Sequence, residues 1–335
     1  MVEKEGKKMF KGSFRQMLAQ KQVLSPCVWD CYSVKAVEMA GFECALLSGS
    51  SVSESLTGIP DLGLISVDEL VGVAGRVAHF ASIPLLVDFD EGYGDSPLNV
   101  ARNVEKLLKA GVAGFTLDDG MGIRGYDRLA QSRNIEQVKK GINVTPYKVV
   151  PTEVYIAKIK AALDVLAGTD CVLIARTEAR PINGLDDAIT RCKYAQDIGA
   201  PMTLVNRYYN IEECRHAAKV LDGWKMYPDV VIQPDGSPEV ELKDIEALGF
   251  NYVTMHYLEK GSMYGMLDYG LKNYANQNTV YSETHDMGGL DRALYRKAMS
   301  FGAAAYLERE AEYLNFGEKV CHQSSAKDHK RRIGL

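Results

Sequence analysis

The stretch KLLKAGVAGFTLDD, residues 106–119, decides the fold. It reads as the end of an amphipathic helix, a glycine stop, a short apolar strand, and two carboxylates where the strand runs out. Gly111 falls where a helix C-terminus needs a left-handed residue, a conformation that glycine adopts without a Cβ clash. The strand after it is compact and apolar, as expected when protein covers both faces of a sheet. The same unit recurs as VEMAGFECALLSG (37–49), YAQDIGAPMTLVN (194–206) and IEALGFNYVTMHY (245–257), with Gly41, Gly199 and Gly249 in the place of Gly111. Further strands are expected at PCVWD (26–30), IPLLVDFD (83–90), CVLIARTEA (171–179) and DVVIQ (229–233).

Helical patterns separate these strands, for example at 96–110, 152–167 and 184–198, with Ser96 and Thr152 at helix starts. Strict alternation favours a parallel sheet. About eight units over roughly 230 residues match a closed (β/α)8 barrel in size; a doubly wound open sheet is the alternative topology. One domain is expected, spanning 1–335, with the barrel at about 14–275. Two segments exceed a minimal barrel: a polar insertion at 120–150 after the fourth strand, and helices at 259–320 that extend the C-terminus. An insertion of that length within one domain usually serves function.

The chain has 335 residues, 46% hydrophobic and 25% charged, with net charge −5. That balance gives no basic field for nucleic acid. Seven cysteines without CxxC spacing argue against a disulfide framework or zinc knuckle, and Cys44 and Cys171 fall in apolar runs as buried hydrophobes. The charged start, MVEKEGKKMF, has no signal-peptide character. No segment offers about 20 uninterrupted apolar residues for a membrane span. The expected setting is the cytoplasm.

Active sites of parallel barrels lie at the C-terminal strand ends. Read in order, those ends give Asp30, Ser48-Gly49-Ser50, Asp88 and Asp90, Asp118 and Asp119, Arg176 and Glu178, Asn206, Gln233 and His256. Asp88 and Asp90, two apart on a strand, are expected on one face directed into the barrel mouth, with Val87 and Phe89 facing the helices. Carboxylates this close repel unless a cation or proton intervenes, and Asp118 can add a third oxygen. Oxygen donors with open water positions suit Mg²⁺ better than zinc, with Mn²⁺ as a substitute. A pair of strand-end caps is the alternative. Arg176 presents a planar fork to a carboxylate or phosphate, unless Glu178 or a barrel aspartate claims it. Ser48, Gly49 and Ser50 offer hydroxyls and backbone N–H groups to an anion. His256 reads equally as a satisfied core histidine.

SGSSVSESLTGIPDLG (48–63), VDFDEGYG (87–94) and LIARTEA (173–179) together resemble the isocitrate lyase/phosphoenolpyruvate mutase superfamily. The likeness runs from about Phe14 to Tyr257 and includes a complete D-x-D-x-G-[FY]-G pattern. It implies that Ser48, Gly49 and Ser50 hold the 2-oxo-carboxylate end of a small carboxylic-acid substrate. It implies Asp61 beside the substrate and gating loop, Asp88 and Asp90 as Mg²⁺-binding aspartates, and Asp118 in place of a metal-shell glutamate. Arg176 would contact substrate. The family fold implies a homo-oligomer, tetramer or dimer, with exchanged C-terminal helices.

Departures accompany the likeness. Where the lyase branch carries K-[KR]-C-G-H with a catalytic cysteine, this chain reads Arg124-Gly125-Tyr126-Asp127-Arg128. Tyr126, Arg124 or Arg128 could replace the acid that protonates the enolate, or water could protonate it. Tyrosine, with an ordinary pKa of about 10, is a different acid from a thiol. Asn206 stands where lyases carry glutamate, and the mutases' gating motif is missing. The function these residues imply is Mg²⁺-dependent cleavage next to the carbonyl of a small 2-oxo or 2-hydroxy acid through an enolate. Phosphonopyruvate-type phosphorus–carbon chemistry and a non-catalytic binding barrel are the alternatives.

Overall fold

The computed structural model describes residues 13–122, 147–230, 232–233, 235–256, 258–277 and 300–332. Two compact units divide the chain, Met1–Met263 and Tyr264–Leu335. The first contains a closed barrel of eight parallel strands: β1 (Val23–Val28), β2 (Ala45–Leu47), β3 (Leu85–Asp88), β4 (Gly114–Leu117), β7 (Val172–Thr177), β8 (Met202–Val205), β9 (Trp224–Tyr227) and β10 (Phe250–Met255). β1 pairs with both β2 and β10, which closes the sheet and rules out the open doubly wound arrangement. Two short strands, β5 (Gly120–Met121) and β6 (Lys148–Val149), form a separate antiparallel ribbon at the base of the insertion.

The glycine stops are where the repeat puts them. Gly41, Gly111, Gly199 and Gly249 all have φ between 82° and 107°. Ser96 caps the helix Pro97–Lys109, its hydroxyl accepting from Asn99 N at 3.2 Å. Inside the barrel, Val23, Cys27, Leu46, Leu86, Ile174, Leu204 and Tyr252 form one apolar cluster. The helix Phe14–Gln20 adds Phe14, Met17 and Leu18 to it, and the Phe14 ring meets Tyr252 edge-on at 5.3 Å. A second core lies between strands and helices and takes in Val87 and Phe89, both fully buried as expected. Cys44 and Cys171 are buried and free.

Two strand positions differ from the sequence expectation. The seventh barrel strand is Trp224–Tyr227, not 229–233. Lys225 hides it from a hydrophobicity reading, yet that lysine is buried, with its ammonium donating to the carbonyls of Leu221 and Gly223 at 3.0 Å each. Gln233 therefore ends no strand; its N–H donates to Ser237 O in an irregular segment. The first strand stops at Val28, and Asp30 caps the next helix by accepting from Ser33 N at 2.7 Å.

C-terminal helices are present as Leu258–Ala275 and Ala303–Arg332. The first carries the chain across the division between the units. Residues 278–299 of the expected extension lie outside the described residues. No described helix is long and apolar enough to cross a membrane.

Candidate active site

Asp88 is the last residue of β3, opposite Thr116 of β4. Its Oδ1 accepts from Thr116 Oγ1 at 2.8 Å and from Arg176 Nη1 at 3.0 Å. Arg176, near the end of β7, then reaches Glu178: its Nε donates to Glu178 Oε1 at 2.7 Å, and Nη2 pairs with the same oxygen. Its Nε also lies 3.8 Å from Asp118 Oδ2. Asn206, just after β8, donates its amide to both oxygens of Glu178 at 2.8 and 2.9 Å. Asp118 is fully buried and its Oδ1 accepts from Gly120 N at 2.9 Å. Arg176 is thus claimed by barrel carboxylates, the pairing its position at a strand end left open.

Asp90 joins the group by a different route from simple strand alternation. β3 has already ended, and Asp90 sits at φ +50° in the left-handed region, a conformation that costs a non-glycine residue on the order of 1 kcal/mol. The turn buries Asp90, whose carboxylate accepts from Tyr93 Oη at 3.2 Å while its carbonyl accepts from Asp118 N at 2.8 Å. Gly92 continues the turn at φ +87°, where a Cβ would press within 3.0 Å of Leu117 and Val100. A Cβ on Gly49 would lie 3.8 Å from both Asp90 carboxylate oxygens, so the Ser48–Ser50 segment faces this carboxylate. Ser48 Oγ lies 2.9 Å from Ser50 Oγ and accepts from Ser51 N at the start of the helix Gly49–Thr57.

Among the described residues, the carboxylates of Asp88, Asp90, Asp118 and Glu178 therefore share the mouth with the Arg176 guanidinium. Such an excess of buried negative charge favours a cation or a proton. Hard oxygen donors match Mg²⁺ or Mn²⁺ and not a thiolate-seeking metal. Among the described residues no three such side chains surround one point closely enough to hold an ion unaided. Arg176 occupies the space between them.

Asp119, the other carboxylate of the LDD sequence, belongs to a separate structural clamp. Its oxygens accept from Thr177 Oγ1 at 2.7 Å, Glu178 N at 2.8 Å and Arg191 Nη1 at 3.2 Å. Burial pushes it up to about 6 against those hydrogen bonds, and the Asp118 charge adds to the rise. Arg191 also donates to Val150 O at 2.8 Å, and Val150 N donates to Asp119 O. This clamp fixes the return of the insertion beside β4.

Asp61 is half-buried beyond the helix Gly49–Thr57, and no described hydrogen bond or ion pair joins it to the Arg176 cluster. Arg124 and Tyr126 lie outside the described residues. Glu178, which the sequence offered only as a possible ion-pair partner of Arg176, takes that place and also holds Asn206. The R-T-E spacing, which puts Arg176 and Glu178 on one side of a strand, was the available signal. His256 is polar-partnered: its N–H and its Nδ1 lie 2.6 and 2.7 Å from Asp229 Oδ1, a partner no sequence pattern marked.

The family model described as Phosphoenolpyruvate phosphomutase matches residues 14–269. The chain belongs to that family and is an enzyme of the phosphoenolpyruvate mutase/isocitrate lyase superfamily. Among its relatives is the 2,3-dimethylmalate lyase of Eubacterium barkeri, 28% identical over 83% of this chain and 93% of that protein. An oxaloacetate decarboxylase of Rhodopseudomonas palustris (strain BisB5) is 31% identical over 71% of this chain and 74% of its own length. In fold, the chain is similar to a phosphonopyruvate hydrolase solved with oxalate and Mg²⁺, with a TM-score of 0.70 at 23% identity, covering 90% and 97% of the two chains.

Proposed function

We propose that this enzyme is a Mg²⁺-dependent lyase or decarboxylase, breaking a bond next to the carbonyl of a small 2-oxo or 2-hydroxy di- or tricarboxylic acid. The observation that carries the reading is the buried cluster in which Asp88, Asp118 and Glu178 surround Arg176. Asp88, Asp90 and Asp118 would hold the Mg²⁺, or Mn²⁺ in its place, directly or through water. When bound, that ion supplies Lewis-acid stabilisation of the enolate oxygen. Arg176 turns its fork from a barrel carboxylate to a substrate carboxylate, a bidentate geometry that lysine cannot reproduce. Glu178 and Asn206 fix the base of that fork. Ser48, Gly49 and Ser50 offer hydroxyls and the first N–H groups of a helix to the 2-oxo-carboxylate end. Asp61 would neighbour the substrate and the gating loop, and the 120–150 insertion, which carries Tyr126 and Arg124 as candidate acids, would exclude water.

The carboxylate reading is supported over phosphorus–carbon chemistry by the lyase and decarboxylase names of relatives that align over most of the chain. Incubation with Mg²⁺ and oxaloacetate, methylisocitrate, 2-alkylmalates or phosphonopyruvate, followed by assay of pyruvate or glyoxylate, tests it. Release from at least one carboxylic acid is expected. Turnover of phosphonopyruvate alone overturns the reading.

A homo-oligomer, dimer or tetramer, is part of the same proposal. Support comes from exposed apolar side chains on both C-terminal helices: Tyr264, Leu267 and Leu271 on one, Tyr306, Leu314 and Phe316 on the other. Sedimentation of the intact chain as a monomer at micromolar concentration would overturn it. Free thiols throughout fit a cytoplasmic setting.

A further inference from the structure

The wall of the barrel formed by β1, β9 and β10 carries a second set of reactive groups. β1 and β10 run in parallel register, Ser25 beside Thr254 and Pro26 beside Met255. One step further sets Cys27 beside His256. Cys27 belongs to the buried cluster inside the barrel, with Leu46, Leu86 and Tyr252, while the ribbon-bearing insertion leaves from the far side, after β4. His256 follows β10 directly and its side chain is 26% exposed, so it borders the mouth. Asp229, just after β9, accepts from the His256 backbone N–H and lies 2.7 Å from Nδ1. With Nδ1 committed to Asp229, the ring's other nitrogen is left to meet the Cys27 thiol, with which His256 hydrogen-bonds. A thiol, an imidazole and an orienting carboxylate in sequence make an acid–base unit.

We infer that Cys27 is the acid that protonates the enolate carbon, from the floor of the mouth, with His256 and Asp229 as its positioning residues. This inference rests on the enolate reading above and goes beyond it by naming the proton donor. Charge supports it. Burial raises Cys27 above the ordinary thiol value, and Asp229 and Asp88 add to that rise against the pull of His256. Burial works against a charge on His256, but Cys27 and Asp229 hold it well above the ordinary imidazole value. Tyr252 also lies in this cluster, and burial raises it well above the ordinary tyrosine value. Burial thus favours the protonated thiol, and Asp229 favours the charged form of the ring beside it.

In the step itself the electron pair of the enolate double bond takes the thiol proton. An S–H bond breaks, a C–H bond forms, and the 2-oxo acid product is left with a keto group. The resulting thiolate sits against the imidazolium N–H and regains its proton from solvent once the product leaves. A buried thiol thus supplies the chemistry for which the sequence at 124–128 offers tyrosine and arginine in place of the family's cysteine.

Exchange of pyruvate methyl protons in D₂O, followed by proton NMR with Mg²⁺ present, reads the proton transfer without requiring the native substrate. Calorimetric titration with oxalate and Mg²⁺ reads the enolate site separately. Wild-type enzyme is expected to bind oxalate and exchange the methyl protons. Cys27→Ser, close to cysteine in volume, and Cys27→Ala should lose exchange by about 100-fold or more, the range for removing a general acid. Oxalate affinity should stay within about twofold. His256→Gln should lose about tenfold and displace the pH profile of exchange, a change that a purely structural role does not make. Cys214→Ser, on the helix Ile211–Val220, is the control and should exchange as wild type does. Exchange by Cys27→Ser within about twofold of wild type overturns the inference and returns the proton to the insertion. Oxalate binding by a wild-type enzyme that exchanges nothing overturns it as well. Failure of the wild type to bind oxalate with Mg²⁺ removes the enolate reading itself, and this inference with it.

Discussion

The two walls of the barrel mouth are built on opposite electrostatic plans. On the β3–β4–β7 wall, Asp88, Asp118 and Glu178 compete for Arg176, each within 4 Å of it, and Asp90 lies beside them. On the β1–β9–β10 wall, a single carboxylate, Asp229, serves one imidazole. The first wall is short of positive charge and is suited to bind: it needs a cation and can spare an arginine. The second is locally balanced and is suited to move a proton. On the proposed reading, that division would let one reaction use strong charge fixation without tying up the group that changes its protonation state.

The largest expected effect comes from breaking the binding wall. Asp88→Ala should lower kcat/KM by about 10³-fold or more, since it removes an oxygen donor and frees Arg176. Mg²⁺ affinity, measured by titration, should fall with it; unchanged affinity and activity would place the metal elsewhere. Arg176→Lys keeps the charge and removes the fork, with an expected loss of about 100-fold, mostly as a rise in KM for the carboxylic acid. A loss confined to kcat would instead assign Arg176 to the transition state. Gly120→Ala should cost about tenfold, because a Cβ there collides with the Tyr147 ring and presses on Asp118 Oδ1 at 3.1 Å.

The smallest effect sharpens the other wall and is read as stability. His256 is raised in the fold, so its partnership contributes fully below its unfolded value of about 6.5 and fades as pH climbs through the raised folded value. Asp229→Asn lowers that folded value. The variant should therefore be less stable than wild type at pH 6, by about 2–4 °C in Tm, with the gap narrowing at high pH. A gap independent of pH would mean that His256 is neutral throughout.

How far these walls could be read in advance follows the distance over which each signal acts. The helix–glycine–strand unit is local, so Gly41, Gly111, Gly199 and Gly249 announced the barrel. Arg176 and Asp88 were legible because strand ends in a parallel barrel converge by geometry. The seventh strand was not, since Lys225 solves its burial with two carbonyls that sequence does not point to. Asp90 reached its place through a left-handed turn that alternation does not describe. Asp119 with Thr177, and His256 with Asp229, join residues 58 and 27 positions apart. Such pairs leave no periodic trace. The roles of Tyr126 and Arg124 rest on sequence alone.

The β5–β6 ribbon carries a consequence for how this enzyme can diverge. Gly120 is paired with Val149 and Met121 with Lys148, so the insertion leaves and re-enters the barrel at one point, its two stems about 5 Å apart. Both stems are anchored in the Asp119–Arg191 clamp. A segment hung from a single closed neck exerts no pull on the strands, and lengthening it costs little: each doubling adds only about 0.6 kcal/mol of closure entropy. Everything beyond the neck is thus an exchangeable cassette. Mutational drift there leaves the carboxylate–arginine wall and its folding intact.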